Sequence, residues 1–185
     1  MAESLDDGLR ETGLDSEVVF KGRLLEVRRD RVRLPNGAET TREYIAHPGA
    51  VVVIPVLSTG KYLLERQFRY PLKQVFLELP AGKVDPGEDL LAAAQRELKE
   101  ETGYSAREWQ RLGRIHPCIG YSNEGIEVFL ARKLEQTAPQ QLDANEFIDV
   151  VTLSSAEMMK AIRSGELTDG KTLSALYLAE LFRHA

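Results

Sequence analysis

Four glutamates and one arginine in a single segment carry most of the chemistry this chain could do. Residues 82–104 read GKVDPGEDLLAAAQRELKEETGY, with Glu88 followed by Glu97, Glu100 and Glu101. The run DLLAAAQRELKEETG consists largely of strong helix formers and closes on Gly103, where a helix-ending glycine belongs. Successive helical residues lie about 100° apart, so Glu97, Glu100 and Glu101 share one sector roughly 100° wide. That sector begins beside the apolar stripe of Leu91, Ala94 and Leu98. Glu97 and Glu101 fall nearest the buried face, and Glu100 points most directly away from it. Like charges at i,i+4 on a helix repel by a few tenths of a kcal/mol per pair. The cluster is therefore either an ordinary solvated face or a surface made to receive a cation. Hard divalent ions take oxygen ligands and keep waters while binding phosphates, and a bound ion can polarise a diphosphate and activate water. Arg96, four residues before Glu100, is placed to orient that carboxylate by an ion pair. The preceding loop, LPAGKVDPGE, is long and stiff for a connector, and Gly82 and Gly87 let it approach its own helix closely.

The surrounding elements must hold this helix on a core. At 185 residues, 43% hydrophobic and 29% charged, the chain suits one sizeable domain with a small appended element. A net charge of −5 disfavours a nonspecific nucleic-acid binder, which needs basic patches against phosphate. The single cysteine, Cys118, excludes an internal disulfide framework and fits a reducing compartment. The start, MAESLDDGLRETG, has no apolar segment of a secretory signal, and no apolar run approaches the roughly 18 residues of a membrane helix. The expectation is a cytoplasmic protein with no nucleic-acid partner and no membrane.

Along the chain, residues 1–16 are polar, and a β-like pattern begins at Glu17 (EVVFKGRLLEVRRDRVRL). Asn36-Gly37 is a hairpin signal, TTREYIAH is the returning strand, and His47-Pro48-Gly49 marks a boundary. Residues 1–47 thus read as a tail and a small antiparallel β unit. Two or three strands are marginal alone, so the unit must pack on its own domain or on a second subunit. Residues 48–185 read as the main domain. Strands are expected in AVVVIPVL, KYLLERQFRY, VFLELPAG, WQRLGRIHPCI, GIEVFLARKL and FIDVVTLS, and closing helices in SAEMMKAIRSGE and DGKTLSALYLAELFRH. That order fits α+β, a mixed sheet between helices.

The acidic segment also has a specific spacing: Gly82, five residues, Glu88, seven residues, then Arg96-Glu97-Leu98-Lys99-Glu100-Glu101-Thr102-Gly103-Tyr104. On these residues the chain resembles the Nudix hydrolases, matching the box of that family at every specified position. The resemblance implies a Nudix-type α/β/α sandwich with a mixed sheet, preceded by the N-terminal antiparallel β unit. It implies hydrolysis of a nucleoside diphosphate linked to another moiety, with Mg²⁺ as cofactor and Mn²⁺ as a substitute. The implied metal ligands are Glu97 and Glu101, then Glu100, with the carbonyl of Ala81 contributing. Glu88 is a further candidate ligand, the alternative being a loop-fixing or helix N-terminal role.

Further stretches, ERQFRYP (65–71), LELPAGK (77–83), GYSNE (120–124), NEFIDV (145–150) and DGKTLSALYL (169–178), are similar to the ADP-ribose and nucleotide-sugar pyrophosphatase branch. That branch uses an extra N-terminal β unit to dimerise, so the resemblance implies a homodimer acting on a small-molecule nucleotide sugar. It places Arg69 against the substrate, the alternative being a surface salt bridge. Arg42 is a second candidate, among several arginines of the N-terminal unit. Glu78 binds or orients substrate, or is a strand-edge acid. For the general base, the loop ending LDANE offers Asp143 and Glu146; Glu146 is preferred, and Glu124 is the runner-up. Members preferring ADP-ribose commonly carry a Pro-Gly pair where this chain has Ile119-Gly120. UDP- and GDP-sugars therefore stay open as substrates. A catalytically silent nucleotide-sensing fold is the remaining alternative, and the intact carboxylates weigh against it. Elsewhere, His47 and His116 are isolated and read as structural, Cys118 as a buried small apolar group, Trp109 as core or strand-face, and the apolar face of DGKTLSALYLAELF as core packing.

Overall fold

The computed structural model describes residue 6 and residues 8–183. It divides into two units, one of residues up to His47 with Cys118–Glu124, the other of Pro48–Pro117 with Gly125 onward.

In the first unit, β1 (Thr12–Lys21), β2 (Glu26–Arg33) and β3 (Glu39–Ala46) form an antiparallel sheet in the order β1-β2-β3. The β2–β3 turn uses Gly37 at φ 84°, and Asn36 Oδ1 accepts the Ala38 N–H at 3.0 Å. β1 starts at Thr12, earlier than the expected Glu17. Its early part pairs with β2 through the backbone without apolar alternation, and charge lies across it: Arg31 pairs with Asp15 at 2.7 Å and Arg29 with Glu17 at 3.4 Å. The segment after Pro117 turns back on itself, with Cys118 O accepting the N–H groups of Tyr121 and Ser122. Ile45 N–H donates to Tyr121 O, and His47 N–H donates to Asn123 Oδ1 at 2.8 Å. Cys118 is only half-buried and accepts the Tyr121 hydroxyl at 3.1 Å. It is not the buried apolar group expected, because it sits in a polar turn.

In the second unit, AVVVIP forms β4 (Ala50–Pro55), every residue of it buried. A continuous apolar run of this kind belongs to a strand covered on both faces. β4 pairs in parallel with β9 (Ile126–Gln136) and antiparallel with β7 (Ala81–Lys83), and β8 (Tyr104–Ile115) closes the order β7-β4-β9-β8. A second, antiparallel sheet has the order β10-β5-β6, from β5 (Tyr62–Arg69), β6 (Gln74–Glu78) and β10 (Ile148–Leu153). Alternation along β4 feeds two cores. Val51 and Val53 pack with Phe129 and with Ala93, Ala94 and Leu98 of helix α1 (Leu90–Thr102). Val52 and Ile54 pack with Leu64, Leu79 and residues of α2 (Ser155–Ser164) and α3 (Gly170–Arg183). The mixed sheet between helices is as the sequence implies. Trp109 meets Phe129 edge-on at 6.4 Å, a strand-face role.

Local signals fix the helix that matters most. Asp89 caps α1, its side chain accepting the Leu91 and Ala92 N–H groups, and Gly103 ends it at φ 77°. Fully burying Leu98 contributes about 1.5–3 kcal/mol, enough to seat the helix against β4. The expected packing of α3 is partly realised: Ala175 is buried, while Tyr177, Leu181 and Phe182 are exposed. Among the described residues no helix is long and apolar enough to cross a membrane.

Candidate active site

Strand periodicity puts Leu63, Glu65, Gln67 and Arg69 of β5 on one face and Leu64 and Arg66 on the other. Glu78 of β6 lies directly opposite Glu65 in the register, so its side chain shares that face. Arg69 grips Glu78 in a bidentate pair, Nε to Oε1 and Nη2 to Oε2, both at 2.7 Å. Lys171 donates to Glu78 Oε2 at 3.1 Å and to Asp169 Oδ2 at 2.8 Å. Thr172, fully buried, donates its hydroxyl to Asp169 and accepts the Leu79 N–H at 2.9 Å. That hydroxyl ties the start of α3 to the end of β6. Burial tends to raise Glu78, but the paired Arg69 and Lys171 outweigh it and hold the carboxyl below its ordinary range.

β7 brings the loop before α1 against the acidic sector. Ala81 N–H donates to Glu101 Oε2 at 3.0 Å. A Cβ at Gly82 would overlap the carboxyl group of Glu97, so the close approach needs glycine. Arg96 orients more than Glu100. It bonds Glu97 at 2.8 Å, Glu100 at 3.1 Å and both oxygens of Glu88 at 2.9 Å, and it donates to the Lys83 carbonyl. Glu88 also accepts the Asp85 N–H at 3.0 Å, a loop-fixing role. The Arg96 guanidinium, with that N–H, holds the Glu88 carboxyl down at about 2. Burial follows the sector reading: Glu101 is 5% exposed, while the side chains of Glu97 and Glu100 are 12% and 42% exposed.

Glu101 and Glu65 are the acids pushed furthest up. Burial first, then the charges of Glu65, Glu97 and Glu146, pushes Glu101 well above the carboxylate range. Burial also raises Glu65, against the pull of Lys171 and with a further push from Glu146 and Glu78. Glu146 belongs to the same cluster, its Oε1 accepting the Gln67 amide at 3.3 Å.

Among the described residues, no three His, Cys, Asp or Glu side chains are grouped to hold an ion as they stand. Arg96 occupies oxygens of Glu97 and Glu100 instead. The donor set still fits a hard divalent ion. The donors are all oxygens, Glu65 Oε1 is buried without a partner, and Glu65, Glu97 and Glu101 are raised by burial and by repulsions that a cation would relieve.

The second unit thus brings together Glu97, Glu100, Glu101, Ala81, Glu146, Glu78 and Arg69. Arg42 and Glu124 belong to the first unit. Arg42 donates to both carboxylate oxygens of Glu11, at 3.0 and 2.5 Å, and Glu124 lies 3.8 Å from His47 Nε2. Glu65, Gln67, Asp169 and Lys171 were not singled out from sequence. Alternation in ERQFR could have found the first two, since it aligns them with Arg69.

A model of the NUDIX domain matches residues 46–174, and one of the nucleoside diphosphate sugar hydrolase N-terminal domain matches residues 11–45. The chain is 36% identical over 174 residues to an ADP-ribose pyrophosphatase of Bacillus subtilis (strain 168), covering 94% of each. It is 36% identical over 178 residues to a methanol dehydrogenase activator of Bacillus methanolicus, covering 94% of this chain and 96% of that one. A solved structure of an ADP compounds hydrolase superposes with a TM-score of 0.83 at 26% identity, covering 94% of this chain and 95% of that one.

Proposed function

We propose that this chain, which belongs to the Nudix family of hydrolases, hydrolyses the diphosphate of ADP-ribose or a related nucleotide sugar to AMP, or the matching nucleoside monophosphate, and a sugar phosphate. The observation that carries the reading is the convergence of the Glu97–Glu101 carboxylates, Glu146 and the Arg69–Lys171 cations on one face of the second unit. The name of the Bacillus subtilis relative supports ADP-ribose as the first substrate to try.

Glu97, Glu101 and Glu100, with the carbonyl of Ala81, would hold Mg²⁺, with Mn²⁺ as a substitute. When bound, the ion supplies Lewis-acid polarisation of the diphosphate. The remaining work falls to the chain. Arg96 holds Glu97 and Glu100 in one orientation, and the Ala81 N–H fixes Glu101. Arg69 and Lys171, shared with Glu78, offer N–H donors to the anionic and ribose oxygens of a substrate. Glu146, oriented by the Gln67 amide, takes the proton of the attacking water. The water oxygen joins one phosphorus, and the other phosphate departs with the bridging oxygen.

The protein is taken to be a cytoplasmic homodimer. Val18, Val19, Phe20, Leu24 and Leu25, all exposed on the first unit, support dimerisation through that sheet. Arg42 and Glu124 remain candidates for substrate binding and catalysis. The test is phosphatase-coupled phosphate release over ADP-ribose, ADP-sugars, UDP-sugars and GDP-mannose with Mg²⁺, with light scattering for the dimer. Turnover of ADP-ribose is expected. Failure to turn over any of them would overturn the reading.

A further inference from the structure

We propose that Glu65 is part of the divalent-ion site, its carboxylate supplying a further anionic oxygen beside Glu101. The inference rests on the reading of α1 as the metal-binding surface and extends it to a residue outside the acidic segment. Glu65 is 3% exposed, and its Oε1 is buried with no hydrogen-bond partner. An unmet buried acceptor costs about 1–3 kcal/mol, and more when charged. Folded proteins satisfy such groups with protein, water or an ion.

The strands around Glu65 leave it no donor. Glu78, opposite on β6, is another carboxylate, already taken by Arg69 and Lys171. Val150, opposite on β10, is apolar. Gln67, two residues along on the same face, commits its amide N–H to Glu146. Toward α1 the Glu65 carboxyl shares a hydrogen bond with that of Glu101, whose Oε2 is held by the Ala81 N–H, and this still leaves Glu65 Oε1 without a partner. Two acids are thus pressed together under cover, while the nearest cations serve other carboxylates. Lys171 is shared between Glu78 and Asp169, and Arg96 among Glu88, Glu97 and Glu100. A divalent ion supplies the missing positive charge and is drawn to such oxygen donors.

The test is Mn²⁺ binding to the substrate-free full chain, followed by electron paramagnetic resonance, with melting in chelator as the second readout. Wild type is expected to bind Mn²⁺, and Glu65→Gln to bind about tenfold or more weakly, within the usual range for altering a metal site's supporting ligands. Its melting midpoint in chelator should equal or exceed that of wild type, because a neutral isostere replaces an unpartnered acid. Glu65→Asp keeps the charge and should bind Mn²⁺ more tightly than Glu65→Gln. Wild-type affinity in Glu65→Gln would overturn the assignment of Glu65 alone. Equal weakening in both variants with lowered midpoints in chelator would reduce Glu65 to packing and overturn it too. If wild type binds no Mn²⁺, the metal-site reading itself fails.

Discussion

Gly82→Ala separates the chemistry of this site from its stability. A Cβ at position 82 would overlap the carboxyl carbon and both oxygens of Glu97. Restoring ordinary contact at about 3.5 Å drives that carboxyl back by roughly 1.5 Å. Gly82 is not in the left-handed region, so alanine meets no backbone strain there. A compatible Gly→Ala change stabilises a fold by about 0.4–1 kcal/mol through the unfolded chain. Arg96 keeps Glu88, Glu100 and the Lys83 carbonyl, so losing its pair with Glu97 costs about 0.2–1 kcal/mol, as for a partly exposed ion pair, and the melting midpoint should barely move. Activity should not survive as well, because a misplacement of about 1 Å in a reacting site can cost on the order of 10²-fold. The assay is kcat/KM on ADP-ribose with Mg²⁺, alongside thermal melting, for Gly82→Ala, Glu97→Ala and the double variant. With Glu97 shortened, the added methyl has room, so Gly82→Ala should cost almost nothing more in that background, a non-additivity expected of contacting residues. An active Gly82→Ala enzyme, or the same penalty with and without the Glu97 side chain, would refute the reasoning.

Glu101→Gln should abolish Mg²⁺-dependent hydrolysis with the fold intact, as followed by turnover and circular dichroism; near-normal turnover would remove Glu101 from the metal site. Glu146→Gln should lose about 10²-fold in kcat, a usual size for a missing general base, and an unchanged rate would remove Glu146 from that role and point to Glu124. Thr172→Val strips the Leu79 N–H of its acceptor in a buried place and should cost about 1–3 kcal/mol in denaturant unfolding. Glu88 is held down at about 2 by Arg96, so the unfolded chain takes up its proton first as the medium is acidified. Its stabilising contribution is present above the ordinary carboxylate range and is lost as pH falls from about 4.5 toward 2. The melting difference between wild type and Glu88→Gln should therefore shrink across that window, and a constant difference would count against the pairing.

What could be read from sequence and what could not divide along one physical line. The α1 sector was legible because helical geometry is local: a fixed angle per residue sets Glu97 and Glu101 nearer the buried face than Glu100 without any tertiary contact. The buried run of β4 and the glycine that ends α1 were legible for the same reason, each being a property of neighbouring residues. The start of β1 was missed because its TGLDS segment pairs with β2 through the backbone, with Arg31 against Asp15, and shows no apolar alternation. Lys171 and Asp169 escaped because nothing in DGKT points at Glu78 until strand pairing and the start of α3 bring residues 93 positions apart within 3.1 Å.

Glu65 lies between these cases. Its place on one face with Gln67 and Arg69 follows from the period of two. Its significance comes only from the opposing helix, where Glu101 turns an unremarkable strand acid into half of a buried pair. The acidic segment alone accounts for an excess of charge on a helix. Only the packed fold shows that β5 adds to that excess, and that Arg69, Arg96 and Lys171 nearby are already committed. A buried carboxyl at position 65 with an orphaned oxygen beside Glu101 suits a divalent ion better than packing, since an apolar side chain there would satisfy packing without one.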